Sequence, residues 1–269
     1  MCIAAFAWQI HPLQPFLLLL NRDEYHERAT KPLGWWDGGE ILGGRDEVGG
    51  GTWLACSKKG KIAFVTNVLE LHTLPKAKSR GDLPVRFLKS MKNPREFAEM
   101  LLDEVQEYNG FNLILADLPS KTMVYVTNRP KGETVVKIQD VQPGLHVLSN
   151  ANLDSPWPKV ERLRVKFANI LHRFGDSEIL LADIINRLMR DRKKADKSKL
   201  PQICSVEWEF GLSPIFVKVD TPLGFYGTRS TAAITVSTNG EVNFYETYLE
   251  NGLWQEKTIS YHIDKKKLI

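Results

Sequence analysis

From Cys2 to Leu20 the chain carries no formally charged side chain, and it then passes directly into Asn21-Arg22-Asp23-Glu24. Cys2 to Ile10 reads as a strand, with Ile3, Phe6, Trp8 and Ile10 among its residues. His11-Pro12-Leu13-Gln14-Pro15 breaks it, because closely spaced prolines favour a turn. Phe16 to Leu20 is short and wholly apolar, the pattern of a strand covered on both faces. Such a hairpin belongs inside a layered fold. Folded about Leu13, it sets Ile10 opposite Phe16 and Cys2 opposite Glu24, so the amino terminus meets Arg22-Asp23-Glu24. A guanidinium and carboxylates at the end of a buried hairpin are costly to desolvate unless they pair or serve a site.

The position of Cys2 gives it a chemical interest of its own. Initiator methionine is normally removed when the next side chain is small, and removal of Met1 would leave a thiol and a free α-amine on one residue. An amine with a pKa of about 7.7–8.0 can take the proton of a thiol whose pKa is about 8.5. That is the terminal-amine form of covalent catalysis, which needs no further base. Cys2 also reads as a small buried strand residue, with Arg22 and Asp23 paired only to each other. The local pattern leaves both readings open.

The rest of the chain alternates in type. The glycine- and tryptophan-rich stretch from Gly34 to Gly51 lacks the Lys-Ser/Thr ending of a phosphate loop, and tight turns between short strands account for it better. Thr52–Cys56 and Lys61–Thr66 form a hairpin that ends on Asn67. Pro94–Tyr108 is a helix with Phe97, Leu101 and Val105 stepping by four. Phe111–Asp117, Thr122–Thr127, Thr134–Ile138 and Leu145–Ser149 are strands, the last ending on Asn150. A helix from Pro156 to Phe174 has Ser155 as its cap. A third, capped by Asp176, runs to Arg190 and buries Ile179, Leu180, Ile184 and Leu188. Strands return at Ile215–Val219, Thr231–Ser237, Glu241–Tyr248 and Glu256–Tyr261. Strands, then helices, then strands, with hairpin spacing, predict a single α+β domain over residues 1–269, with sheets in the middle and helices outside.

Composition excludes several classes. A net charge of +4 is too mild to imply nucleic acid, and the basic runs Arg190–Lys199 and Lys265-Lys266-Lys267 read as a solvated linker and tail. No apolar stretch is long enough for a membrane span or a secretory leader. Three cysteines, at 2, 56 and 204, make neither a metal pair nor a disulfide framework, so a reducing, cytoplasmic setting is expected. The histidines have no metal-ligand spacing, haem attachment through Cys-x-x-Cys-His is absent, and Ser149 and Ser230 lack a nucleophile elbow. No cofactor is expected, and nothing in the pattern marks an oligomer.

Three polar residues stand at the ends of apolar strands: Asn67 after Val65-Thr66, Asn150 after Leu148-Ser149, and Arg229 within Tyr226-Gly227-Thr228-Arg229-Ser230. An asparagine amide can donate to a developing oxyanion, and an arginine fork can hold a carboxylate. Singly, each is a strand cap or turn residue.

Together with Met1-Cys2-Ile3, Asn21-Arg22-Asp23-Glu24, Leu42-Gly43-Gly44-Arg45-Asp46, Gly51-Thr52-Trp53-Leu54, Ser79-Arg80-Gly81 and Trp157-Pro158-Lys159-Val160, these blocks carry a resemblance that runs nearly end to end. The chain resembles the NRDE-motif family, known in eukaryotes as the transport and Golgi organisation family. That family is similar in turn to N-terminal nucleophile hydrolases of the choloylglycine hydrolase and penicillin V acylase type. The resemblance implies a four-layer αββα sandwich of antiparallel sheets flanked by helices. It implies Cys2 as nucleophile, Arg22 and Asp23 holding its amine and thiol, Asn67 and Asn150 orienting the amine and receiving the oxyanion, and Arg229 as the late arginine beside the nucleophile. The activity so implied is hydrolysis of a non-peptide amide C–N bond in a small molecule, through an acyl-thioester on Cys2. A second reading, also taken from the family, is a non-catalytic carrier of a hydrophobic ligand, haem or an acyl chain, with roles in Golgi organisation and secretion. Trp35, Trp36 and Trp53 would then line its pocket.

Overall fold

The computed structural model describes residues 2–129, 136–179 and 181–264. Met1, Thr134, Leu180 and the Lys265–Lys267 run lie outside the described residues. Strands β1 (Ile3–Trp8) and β2 (Phe16–Tyr25) form the expected antiparallel hairpin, buried throughout β1 and from Phe16 to Asp23 in β2. Its register differs from the expected one by two residues. Trp8, not Ile10, faces Phe16, and Ile3 faces Asn21, which sets Cys2 level with Arg22. The connection is a wider loop, closed by the Gln9 N–H donating to the Pro15 carbonyl at 2.7 Å. An even shift leaves every side chain on its own face, so the same residues are buried.

One seven-stranded sheet follows chain order: β3 (Thr30–Trp35), β4 (Ile41–Asp46), β5 (Leu54–Ser57), β6 (Lys61–Asn67), β7 (Phe111–Asp117), β8 (Thr122–Thr127) and β9 (Lys137–Asp140). The other sheet surrounds the hairpin, with β10 (Gly144–Leu148) beside β1. Beyond β2 come β12 (Gly224–Val236), β13 (Glu241–Glu250) and β14 (Leu253–His262), while β11 (Lys218–Thr221) pairs with the start of β12. All pairings within both sheets are antiparallel.

The sheets stack through Phe6, Trp8, Phe16 and Leu18 on one side and Phe64, Ile114 and Tyr125 on the other. The outer face of the β3–β9 sheet is covered by α1 (Asp82–Lys89) and α2 (Pro94–Met100), through Phe87 and Phe97. The outer face of the hairpin sheet, carrying Ile3, Ala5, Leu17 and Leu19, is covered by α3 (Pro158–Phe174) and α4 (Leu181–Leu188). The result is the expected α+β fold, a four-layer αββα sandwich. The hairpin lacks charge because its residues face either the opposing sheet or α3 and α4. Each large apolar side chain buried there contributes about 1.5–3 kcal/mol.

Several boundaries differ from expectation. α2 ends at Met100 and continues only as two tight 3₁₀ turns, Leu101–Asp103 and Val105–Glu107, although Phe97, Leu101 and Val105 still reach the core. Its start is held by a capping box between Asn93 and Glu96, with Pro94 in the first turn. α3 begins at Pro158 with Trp157 at the cap, not Ser155. Helices α1 and α5 (Val206–Gly211) were not expected. In α1, Pro84 sits in the first turn, where a missing N–H costs nothing.

Candidate active site

Cys2 is buried just before β1, beside the stretch where β2 and β12 run together. Its carbonyl lies 3.0 Å from Ser149 Oγ, which is also 2.9 Å from Asn150 Oδ1, so one hydroxyl proton serves two acceptors. The backbone N–H of Asp23 donates toward the Cys2 sulfur. Burial pushes the Cys2 thiol above its ordinary range and the Asp23 carboxylate adds to this, while the Asp23 N–H and the Arg22 charge pull it back.

Adjacent residues of a strand point to opposite faces, and that separates Arg22 from Asp23. The Arg22 guanidinium lies over the Trp53 ring, 4.2 Å from its centre, with Thr30 Oγ1 at 3.2 Å and Asp46 Oδ2 at 3.6 Å. Asp23 accepts from Thr228 Oγ1 at 2.6 Å. Burial raises the Asp23 carboxyl pKa, against the opposing pull of Lys159 and the Thr228 hydrogen bond. Lys159, buried on α3, donates to the Leu212 carbonyl at 3.2 Å. Burial pushes it down to about 8, although the charges of Asp23 and Cys2 favour its protonated form.

Asn67 ends β6 and Asn150 follows β10, and the two meet across the sheets. The Asn150 amide N–H groups donate to the Asn67 backbone carbonyl at 2.8 Å and to Asn67 Oδ1 at 3.0 Å. With Oδ1 engaged, the Asn67 amide N–H groups are the end left to donate elsewhere. Asn150 is therefore spent on orienting Asn67.

A cavity of about 470 Å³ opens over these groups, lined by Cys2, Arg22, Asp23, Asn67, Arg80 and Tyr226 among others. Of the six residues expected at a site, four line it and Asn150 stands directly behind. Arg229 is placed elsewhere. It occupies a bulge in β12 between Thr228 and Ser230, and such bulges re-aim a side chain. It donates to the Tyr25 and Arg28 carbonyls and lines a neighbouring cavity of about 220 Å³, which shares Arg22, Arg28 and Trp53 with the first.

Local sequence reasoning missed Arg80, Lys159, Thr228 and Tyr226. Lys159 looks like any charge on an exposed helix. Arg80 follows an irregular loop, and its placement depends on glycines far away in sequence. A Cβ on Gly51 would sit 2.2 Å from the Gly81 carbonyl carbon, and one on Gly49 would sit 2.8 Å from Ser79 Oγ. Those glycines therefore let the Ser79–Gly81 segment lie against them, and the Thr52 N–H fixes it by donating to the Gly81 carbonyl at 2.9 Å. The three tryptophans do not share a pocket. Trp35 packs on the inter-sheet core against Tyr261, Trp36 lies under Arg45, and Trp53 lies under Arg22. Among the described residues, no group of three or more His, Cys, Asp or Glu is placed to hold a metal.

The family model described as "Transport and Golgi organisation 2" matches residues 1–251. The chain belongs to that family. It is 32% identical to the transport and Golgi organization 2 homologue of Mus musculus, with 97% of this chain and 99% of that one covered, and equally identical, with the same coverage, to the Homo sapiens homologue. Among solved structures it is similar to a C2A mutant of conjugated bile acid hydrolase from Clostridium perfringens. The TM-score is 0.55 at 10% identity, with 98% of this chain and 97% of that one covered. At that identity the likeness shows a shared fold alone.

Proposed function

We propose that the protein is an N-terminal cysteine amidohydrolase acting on an amide C–N bond of a small molecule. The observation that carries this reading is the convergence of Cys2, the Asp23 N–H and the Asn67 amide on one cavity, with Asn150 holding Asn67 Oδ1. With Met1 removed, the Cys2 amine takes the thiol proton and the sulfur attacks the carbonyl carbon. A C–S bond forms, and the oxyanion is met by the Asn67 amide. The C–N bond then breaks, the amine leaves with the proton, and water hydrolyses the acyl-thioester. The Asp23 N–H meets the sulfur, the Arg22 charge favours the thiolate from beyond contact distance, and Asn150 is a positioning residue. The bile acid hydrolase of the same fold was solved as a C2A mutant, which supports the assignment of the nucleophile. The three free cysteines fit a reducing, cytoplasmic setting.

Intact mass of the purified protein tests removal of Met1. An acylating probe, followed by peptide mapping, should place a time-dependent adduct on Cys2, and Cys2→Ala should abolish it. Removal of the Asn67 donor in Asn67→Ala should slow acylation by about 10²–10³-fold. An alanine variant at Cys2 with full activity refutes the mechanism. A Soret band on adding haem, unchanged in Cys2→Ala and accompanied by no adduct in the parent, favours the carrier instead.

A further inference from the structure

The charges around the large cavity can be matched one against another. Four cationic side chains line it: Arg22, Arg28, Lys78 and Arg80. Arg28 holds Asp46 at 2.8 Å, and Arg22 reaches the same carboxylate at 3.6 Å. Lys78 lies 3.1 Å from Glu104 and 3.0 Å from Glu107. Arg80 has no carboxylate within ion-pair distance among the described residues. Its hydrogen bond runs from Nη1 to the Gly110 carbonyl at 2.9 Å. Two glutamates act on Arg80 without pairing with it: Glu70 is taken by Arg129 Nε at 3.2 Å and the Gly110 N–H at 2.6 Å, and Glu24, on the cavity wall, accepts from the Tyr25 N–H at 2.9 Å and lies 3.9 Å from Arg28 Nε. A guanidinium carries five N–H donors in a planar fork, and one neutral carbonyl uses one of them.

Arg80 is half-buried at the cavity wall, and that burial lowers its pKa. The fold nevertheless fixes this segment with care. Gly49 and Gly51 admit the Ser79–Gly81 backbone, the Thr52 N–H holds the Gly81 carbonyl, and the Leu83 N–H donates to the Arg80 carbonyl at 3.2 Å as α1 begins. Arg80 is thus held by backbone on both sides, with one donor on the Gly110 carbonyl and the rest of its fork free of carboxylate partners among the described residues.

We propose that Arg80 is the specificity residue of this site and binds a carboxylate on the substrate, so that the amide cleaved belongs to an anionic small molecule. This rests on the hydrolase reading of Cys2 and narrows it. The carboxylate takes two parallel hydrogen bonds from the fork, a geometry that lysine does not reproduce. Arg22 does not substitute for it, because its guanidinium is occupied by Trp53, Thr30 and Asp46.

The test compares two activated esters of one acyl length, mono-4-nitrophenyl glutarate, which ends in a carboxylate, and 4-nitrophenyl pentanoate, which does not. Acylation of Cys2 is followed by mass on the full chain. The parent should favour the carboxylate ester by about tenfold, the loss of one charge-assisted pair of bonds being of that order. Arg80→Leu should bring the ratio of the two rates close to unity, and Arg80→Lys should restore part of it. A ratio taken on one sample does not depend on the fraction folded. An unchanged ratio in Arg80→Leu overturns the proposal. If neither ester acylates Cys2, the hydrolase reading fails, and the anion site is read separately from alkylation of Cys2 by iodoacetamide. Glutarate should then slow alkylation in the parent and not in Arg80→Leu, and equal protection in both overturns the anion site as well.

Discussion

Glu246 offers a perturbation whose size can be worked from the structure. It sits on β13, fully buried, and its carboxylate accepts from the Leu33 N–H at 2.6 Å. Ser230 lies beside it, and Arg22 and Lys257 are the cations that act on it, with Arg229 nearby in the same cavity wall. These favour the charged form, yet burial outweighs them and moves the group from 4.5 up to about 7. A carboxyl raised in the folded state binds more protons folded than unfolded between those two values. Its contribution is therefore fully present below pH 4.5 and lost as pH rises through about 7. At roughly 1.4 kcal/mol for each pH unit of separation, the charged group costs the native state about 3 kcal/mol above pH 7. Glu246→Gln keeps an oxygen for the Leu33 N–H and carries no charge, so it should be more stable than the parent by about that amount at pH 8. The gap should shrink to near zero at pH 4.5. Urea titrations of both proteins from pH 4.5 to 8 read this directly, and a melting difference of roughly 6–12 °C at pH 8 is the thermal equivalent. A gap that stays constant with pH, or a variant less stable at pH 8, refutes the reasoning.

Two further outcomes follow from the same packing. Gly51→Ala places a methyl group against the Gly81 backbone, and should cost about 1–3 kcal/mol of overpacking, lowering the melting temperature and weakening the carboxylate preference together; an unchanged melting temperature contradicts the close approach. Lys159→Met removes a cation that acts on Cys2, so the pH profile of Cys2 alkylation by iodoacetamide should move to higher pH; a profile that does not move excludes Lys159 from the site's electrostatics.

The buried hairpin was legible because its lesson is compositional. A run without charge from Cys2 to Leu20 has no place except between layers, and Arg22-Asp23 at its end marks where polar groups must converge. The helical face of α3 and the strand pairs β5–β6 and β7–β8 were legible for the same reason, since their hydrophobic period is local. The register of the first hairpin was not, because an even slip leaves the burial pattern unchanged and only the loop from Gln9 to Pro15 selects between the two.

Sequence alone determined the layered α+β fold, the place of Cys2 beside Arg22-Asp23 and the strand ends on Asn67 and Asn150, because each depends on neighbours along the chain. Tertiary structure alone decided what each polar group does. It set Arg22 on Trp53 and Asp23 on Thr228, turned Arg229 into the next cavity through a bulge, and spent the Asn150 amide on Asn67. Among the described residues it also left Arg80 without a carboxylate in ion-pair reach. Whether a buried charge is satisfied depends on partners from distant strands, and no local period records which of them arrive within hydrogen-bond distance.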